Sequence, residues 1–207
     1  MAKTKTKTLT FLFILFTIFS ISTLTTTAAK NHRFARALSP AKLGIKAEKL
    51  SHLHFYFHDT ISGKNVTAVR VAEAAGTKTS PTIFGAVNVI DDPLTIKPEL
   101  SSKRVGSAQG ILAAASQSEF AFATTFNFVF TSGQFNGSTL SVLGRNSVFS
   151  NIRELPIVGG TGVFRFARGY AQAHTYSREN NGNAVVEYNV YVYHYWCVFS
   201  TILYDKL

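Results

Sequence analysis

The sequence predicts an all-β protein, an eight-stranded antiparallel β-barrel with a central apolar pocket, and three observations carry that prediction. Beyond residue 50, short apolar-rich runs recur at 53–59, 67–73, 82–90, 106–115, 120–130, 139–148, 163–176 and 185–195, separated by turn formers. At both ends of this region the side chains alternate with period two: Leu53, Phe55, Phe57 and Asp59 share one face, and Val186, Tyr188, Val190 and Val192 another. No long stretch has helical periodicity, and 18 Phe and 8 Tyr against one Met suit strands. Closing the strands into a barrel removes unpaired sheet edges.

The elements follow in order. Residues 1–29 read as a secretory signal peptide: Lys3, Lys5 and Lys7 precede an apolar run from Leu9 to Ile21, and Thr27-Ala28-Ala29 offers small residues for cleavage. A run of 13 residues is short of the roughly 20 that span a bilayer, so no membrane segment is expected after cleavage. Residues 30–49 carry Arg33, Arg36, Lys42, Lys46 and Lys49 with little periodicity, and Pro40 and Gly44 interrupt any helix, so they read as a mobile basic arm. Residues 50–195 form the barrel, with Asn180-Asn181-Gly182-Asn183 as a hairpin loop and Gly159-Gly160-Thr161-Gly162 as a turn. Residues 196–207 follow the last predicted strand.

At 207 residues and 46% hydrophobic content the chain supports one domain with a real core. The formal charge is +10; without Lys3, Lys5 and Lys7, 18 basic and 11 acidic residues leave +7. Basicity in a secreted chain needs no nucleic acid to explain it. Secretion also gives meaning to two N-glycosylation sequons, Asn65-Val66-Thr67 and Asn136-Gly137-Ser138, each beside turn formers and expected on exposed loops.

Most catalytic signatures are missing: there is no nucleophile elbow, zinc-protease helix, P-loop or dinucleotide fingerprint. One cysteine excludes an intrachain disulfide framework and a multi-cysteine metal site, and nothing near Cys197 would activate its thiol. His52, His54 and His58 fall on one strand face, but without an acidic ligand at suitable spacing they read as half-exposed histidines, and no metal or other cofactor is expected. Charges embedded in apolar strands say more. Asp59 ends the face of Phe55 and Phe57, and Arg168 follows Phe164 and Phe166 at period two. A charge inside a barrel is costly unless paired, so Asp59 and Arg168 either pair with each other or bind a ligand, with the four phenylalanines as pocket walls.

Taken together, His54-Phe55-Tyr56-Phe57-His58-Asp59, Asp91-Asp92-Pro93-Leu94-Thr95, Ser107-Ala108-Gln109-Gly110, Val158-Gly159-Gly160-Thr161-Gly162, Phe164-Arg165-Phe166-Ala167-Arg168-Gly169-Tyr170 and Val186-Glu187-Tyr188-Asn189-Val190 resemble the plant dirigent proteins, in the right order across about residues 43–195. The resemblance implies an eight-stranded barrel, usually trimeric, with a dimer as the alternative, secreted to the apoplast and glycosylated. It implies a protein with no oxidative centre that holds phenoxy radicals made by a laccase or peroxidase and directs their stereoselective coupling. Asp59 and Arg168 match polar pocket positions of the family, and against its usual end residues 196–207 look like an atypical C-terminal extension. Lignan-forming members carry an Asp directly after Gly-Gly-Thr-Gly, where this chain has Val163, so the likeness is to the broader dirigent-like branch. Two further readings follow: a non-oxidative dehydrating cyclase of the pterocarpan type with Asp59 as general acid, and a wall-binding structural protein held by its basic arm.

Overall fold

A computed structural model describes residues 34–35 and 37–197. Nine strands account for most of them: β1 Ile45–Asp59, β2 Ala68–Ala72, β3 Val87–Thr95, β4 Arg104–Ala114, β5 Ala121–Phe130, β6 Thr139–Ser147, β7 Arg153–Thr161, β8 Arg168–Arg178 and β9 Ala184–Cys197. The expected signal peptide and most of the extension lie outside the described residues.

From β3 to β9 each strand pairs antiparallel with the next, β9 returns to β1, and β1 reaches β3 through Tyr56–Thr95 and Phe57–Leu94. That last pairing closes a ring of eight strands. The ninth, β2, pairs only with the first half of β3, from Ala68–Ile90 to Ala72–Val87, and so takes up the edge that β1 leaves free. The eight-stranded barrel is therefore present, with β2 as an addition to it. Closure satisfies the backbone donors and acceptors that an open edge would expose.

Four elements differ from the expected ones. β3 runs Val87–Thr95 rather than 82–90, because Ile83 and Gly85, at φ +50° and +88°, turn the chain before it. β1 begins at Ile45, inside the segment read as an arm, because Glu48 and Lys49 pair with Tyr195 and His194 of β9. β7 was hidden by Pro156, Gly159 and Gly160, residues that normally argue against a strand. It forms nonetheless, with a register shift between Ser141 and Val142 of the partner strand. The run 163–176 is not one strand: a 3-10 turn covers Gly162–Phe164, Gly162 has φ +62°, and β8 starts only at Arg168.

Burial divides the barrel interior into two halves. One end is filled by rings: Phe55 packs on Phe128, Phe130 and Tyr188, and Phe164 on Phe130, Phe135 and His194. Fully burying each such ring contributes about 1.5–3 kcal/mol relative to leaving it exposed. The other end, built from the last residues of β1 and the first of β7 and β9, holds a cavity. Its rim is fixed by side chains: Asn183 Oδ1 accepts from the backbone N–H groups of Ile61 and Ser62 at 3.0 and 3.1 Å. Gly182, at φ +95°, lets the hairpin approach Ile61, whose Cδ1 would lie 2.5 Å from any Cβ there.

Candidate functional site

The cavity measures about 570 Å³, within the range of small-molecule sites. Phe57, Leu112, Phe122, Val186 and Tyr188 give it apolar walls, and Asp59, Asn146, Arg153 and Arg178 are its polar groups with Asn88 and Arg70. Alternation explains most of these positions. Asp59 lies two residues beyond Phe57 on β1, and Arg153 heads the buried series Arg153, Leu155, Ile157 of β7.

Several of these groups are desolvated without full protein partners. Asp59 Oδ1, Asn146 Oδ1 and Arg153 Nη2 are buried and make no hydrogen bond among the described residues. Arg153 is only 5% exposed, and its other nitrogens donate to the carbonyls of Val148 and Ala173 at 3.2 and 3.4 Å. Such groups are costly in an empty apolar interior and gain when a ligand supplies the missing partner. Burial pushes the Asp59 carboxyl up to about 6, with Arg178 pulling the other way. Behind it, fully buried Asp92 is pushed up to about 8, first by burial and then by the Asp59 charge, against the hydroxyl of Thr67 that donates to its Oδ1. Burial likewise raises the Tyr188 phenol, so it stays protonated.

A carboxyl whose proton affinity is raised toward neutrality, backed by a second that holds its proton more tightly and set against a buried guanidinium, can donate a proton at one point of a bound molecule and stabilise developing negative charge at another.

The residues expected to form the site separate. Asp59 and Phe57 line the cavity. Phe55, 2% exposed, lies in the packed ring cluster, and Phe164 is wholly buried at the filled end. Phe166 points outward, 54% exposed at φ +62°, because the turn after Gly162 breaks the alternation that would have aligned it with Phe164. Arg168 is not inside the barrel and does not meet Asp59. It ion-pairs with Glu48 on the outer surface and lies over the ring of Tyr193, 5.2 Å from its centroid. Its exterior position follows from the same break in register.

The three histidines of β1 do not converge: His52 pairs with Asn189, His54 with Glu187, and buried His58 with the Thr95 hydroxyl at 2.7 Å. Because that hydroxyl donates to the Lys97 carbonyl, the His58 Nε2–H is the donor, and burial lowers its pKa, keeping the ring neutral. Asn65 and Asn136 are exposed in loops. Arg153, Asn146, Arg178 and Asp92 were missed. The alternation of Arg153 with Leu155 and Ile157 was readable, but only to a reader who accepted a strand through Pro156.

A family model, Dirigent-like protein, matches residues 50–193. The chain belongs to the dirigent family. It is 59% identical to Dirigent protein 11 of Arabidopsis thaliana, over 73% of this chain and 78% of that one. It is also 50% identical to Pterocarpan synthase 1 of Glycyrrhiza echinata, over 78% and 87% respectively. Among solved structures, a pterocarpan synthase dirigent protein superposes with a TM-score of 0.70 at 49% identity, covering 75% of this chain and 90% of the other. For this dirigent protein, Val163 follows the Gly-Gly-Thr-Gly run in the turn Gly162–Phe164, where its carbonyl accepts from His194.

Proposed function

We propose that this dirigent protein binds a phenol carrying a benzylic hydroxyl and catalyses its stereocontrolled loss of water and ring closure. Asp59, as the neutral acid, protonates the benzylic hydroxyl; the C–O bond breaks and water leaves. The electron pair comes from the phenol oxygen, which gives up its proton to solvent, and Arg153 holds the oxygen as negative charge passes through it. A hydroxyl of the same molecule then closes on the benzylic carbon and returns its proton to Asp59, while the phenol oxygen, left as phenoxide when the ring regains aromaticity, takes a proton back from solvent. Nothing is oxidised or reduced. The observation that carries this reading is Asp59 itself, a cavity carboxyl with an unpartnered Oδ1 and a proton affinity raised to about 6. Relatives of about 50% identity that are pterocarpan synthases support it.

A second reading is favoured by the more similar relatives, which are simply dirigent proteins, at 57–59% identity. In it the cavity holds phenoxy radicals supplied by a laccase or peroxidase and fixes the face on which they couple. Orientation alone suffices: roughly 1.4 kcal/mol between two poses gives tenfold selectivity. One experiment separates the two. An isoflavanol-type benzylic alcohol, incubated with the protein in oxidant-free buffer, should lose water to one enantiomer. No conversion there, with handed coupling of coniferyl alcohol once laccase is added, would replace the first reading by the second.

Secretion to the apoplast and glycosylation at exposed Asn65 and Asn136 are part of the same proposal, as is assembly into a homo-trimer, with a dimer as the alternative. Assembly would cover the outer face of β4–β6, where Ile111 and Leu143 stand exposed beside a hollow of about 480 Å³. Glycosidase-sensitive mass and light scattering of the secreted protein test these points.

A further inference from the structure

Beside the barrel cavity lies a second, smaller hollow of about 230 Å³ that shares Val148 and Arg178 with it. Its remaining walls are Phe149, Ser150 and Asn151 of the loop between β6 and β7, and His174 and Thr175 of β8. The chemistry differs from that of the cavity. Ser150, Asn151 and Thr175 are short hydrogen-bonding side chains, His174 lies with its Nδ1 3.9 Å from a Glu187 oxygen, Arg178 adds a cation, and Phe149 presents a ring that is 73% exposed. The Arg178 guanidinium sits over that ring at 5.4 Å from its centroid, which holds it at the junction of the two hollows. Thr175 Oγ1 is buried there with no hydrogen-bond partner among the described residues.

We propose that this annex is a glycosyl subsite, so that the substrate class of the protein is a phenol that bears a sugar on an oxygen other than the one that gives up its proton, with the aromatic part in the barrel cavity and the sugar in the annex. A sugar offers donors and acceptors on all sides and an apolar C–H face. The annex supplies the complement: short polar side chains, a guanidinium and an exposed ring, with an orphaned hydroxyl awaiting a partner. A carboxylate is the poorer match, because the Arg178 guanidinium is already engaged by a ring face and His174 already faces the Glu187 carboxylate. The junction at Val148 and Arg178 makes the two hollows a single bent site. The inference rests on the reading of the cavity as a phenol site.

The test is direct binding of an isoflavone with a free 7-hydroxyl and its 4′-O-β-glucoside, followed by protein fluorescence or calorimetry. The glucoside should bind about tenfold tighter, the gain that one or two added hydrogen bonds provide. Thr175→Val, which keeps the volume, and Asn151→Ala should each remove most of that preference while leaving aglycone binding and thermal stability unchanged. Equal or weaker binding of the glucoside, with the aglycone bound, overturns the subsite alone. Failure of both compounds to bind overturns the phenol-binding reading and the subsite with it.

Discussion

The Thr67 hydroxyl donates to Oδ1 of Asp92, and in doing so ties the loop after β1 to the middle of β3. Thr67 is also the third residue of the Asn65 sequon. Removing a buried carboxyl's hydrogen-bond donor costs about 1–3 kcal/mol. Thr67→Ala should therefore lower the unfolding free energy by that much, even in protein made without glycans, whereas Asn65→Gln should be nearly silent there. Denaturant melts of both variants from a non-glycosylating host check this.

Asp59→Asn should reduce turnover by about 10²–10⁴, the usual contribution of a general acid, while leaving ligand affinity within severalfold. The measurement is single-turnover conversion beside equilibrium binding. Loss of binding in parallel with turnover would make Asp59 a recognition group instead.

The pH dependence of stability has a defined sign. Asp59 and Asp92 both carry folded-state values raised above the ordinary carboxylate range, to about 6 and about 8. The folded protein thus binds more protons than the unfolded chain, and stability falls as pH rises from about 4 to about 8. Each carboxyl contributes about 1.4 kcal/mol to that fall for every pH unit over which it is protonated in the folded protein and ionised in the unfolded chain. Thermal melts should drop across that window, and Asp59→Asn should make the decline between pH 4 and 6 about half as steep, Asp92 supplying the rest.

Arg168→Leu should leave product handedness and the melting temperature nearly unchanged, because the side chain lies on the outer surface with Glu48. Arg153→Leu should keep the fold, since replacing a desolvated charge by an apolar group is often neutral, yet lower turnover at least tenfold. Chiral chromatography with melts distinguishes them; equal effects of both variants would contradict the placement of Arg153 in the cavity.

Phe164→Ala and Phe166→Ala should differ sharply although the residues are two apart. The first empties a fully buried ring site and costs about 3–5 kcal/mol. The second removes an exposed ring and costs little; Phe166→Gly should stabilise slightly, since a left-handed backbone costs a non-glycine residue about 1–2 kcal/mol. Denaturation midpoints decide.

The barrel was legible because alternation in β1 and β9 is uninterrupted, and Asp59 was found by following Phe55 and Phe57 two residues further. The same rule failed where its premise did. Carried through Gly162–Phe166 it put Arg168 inside, although a 3-10 turn and a left-handed Phe166 intervene. Arg153 stayed hidden because Pro156 and the paired glycines disguise β7. Asp92 and Arg178 join the site only when β1 meets β3 and β9, a long-range closure that no local pattern records.

The seam between β1 and β9 joins the first strand to the last across more than a hundred residues of chain. During synthesis β1 therefore waits without its main partner until the ribosome has completed every strand between them. Contacts of such separation also make folding slow. The nascent chain accordingly stays open until β9 has been made, and only then does the barrel become a closed vessel. A stop codon before Tyr188 should yield no folded protein at all.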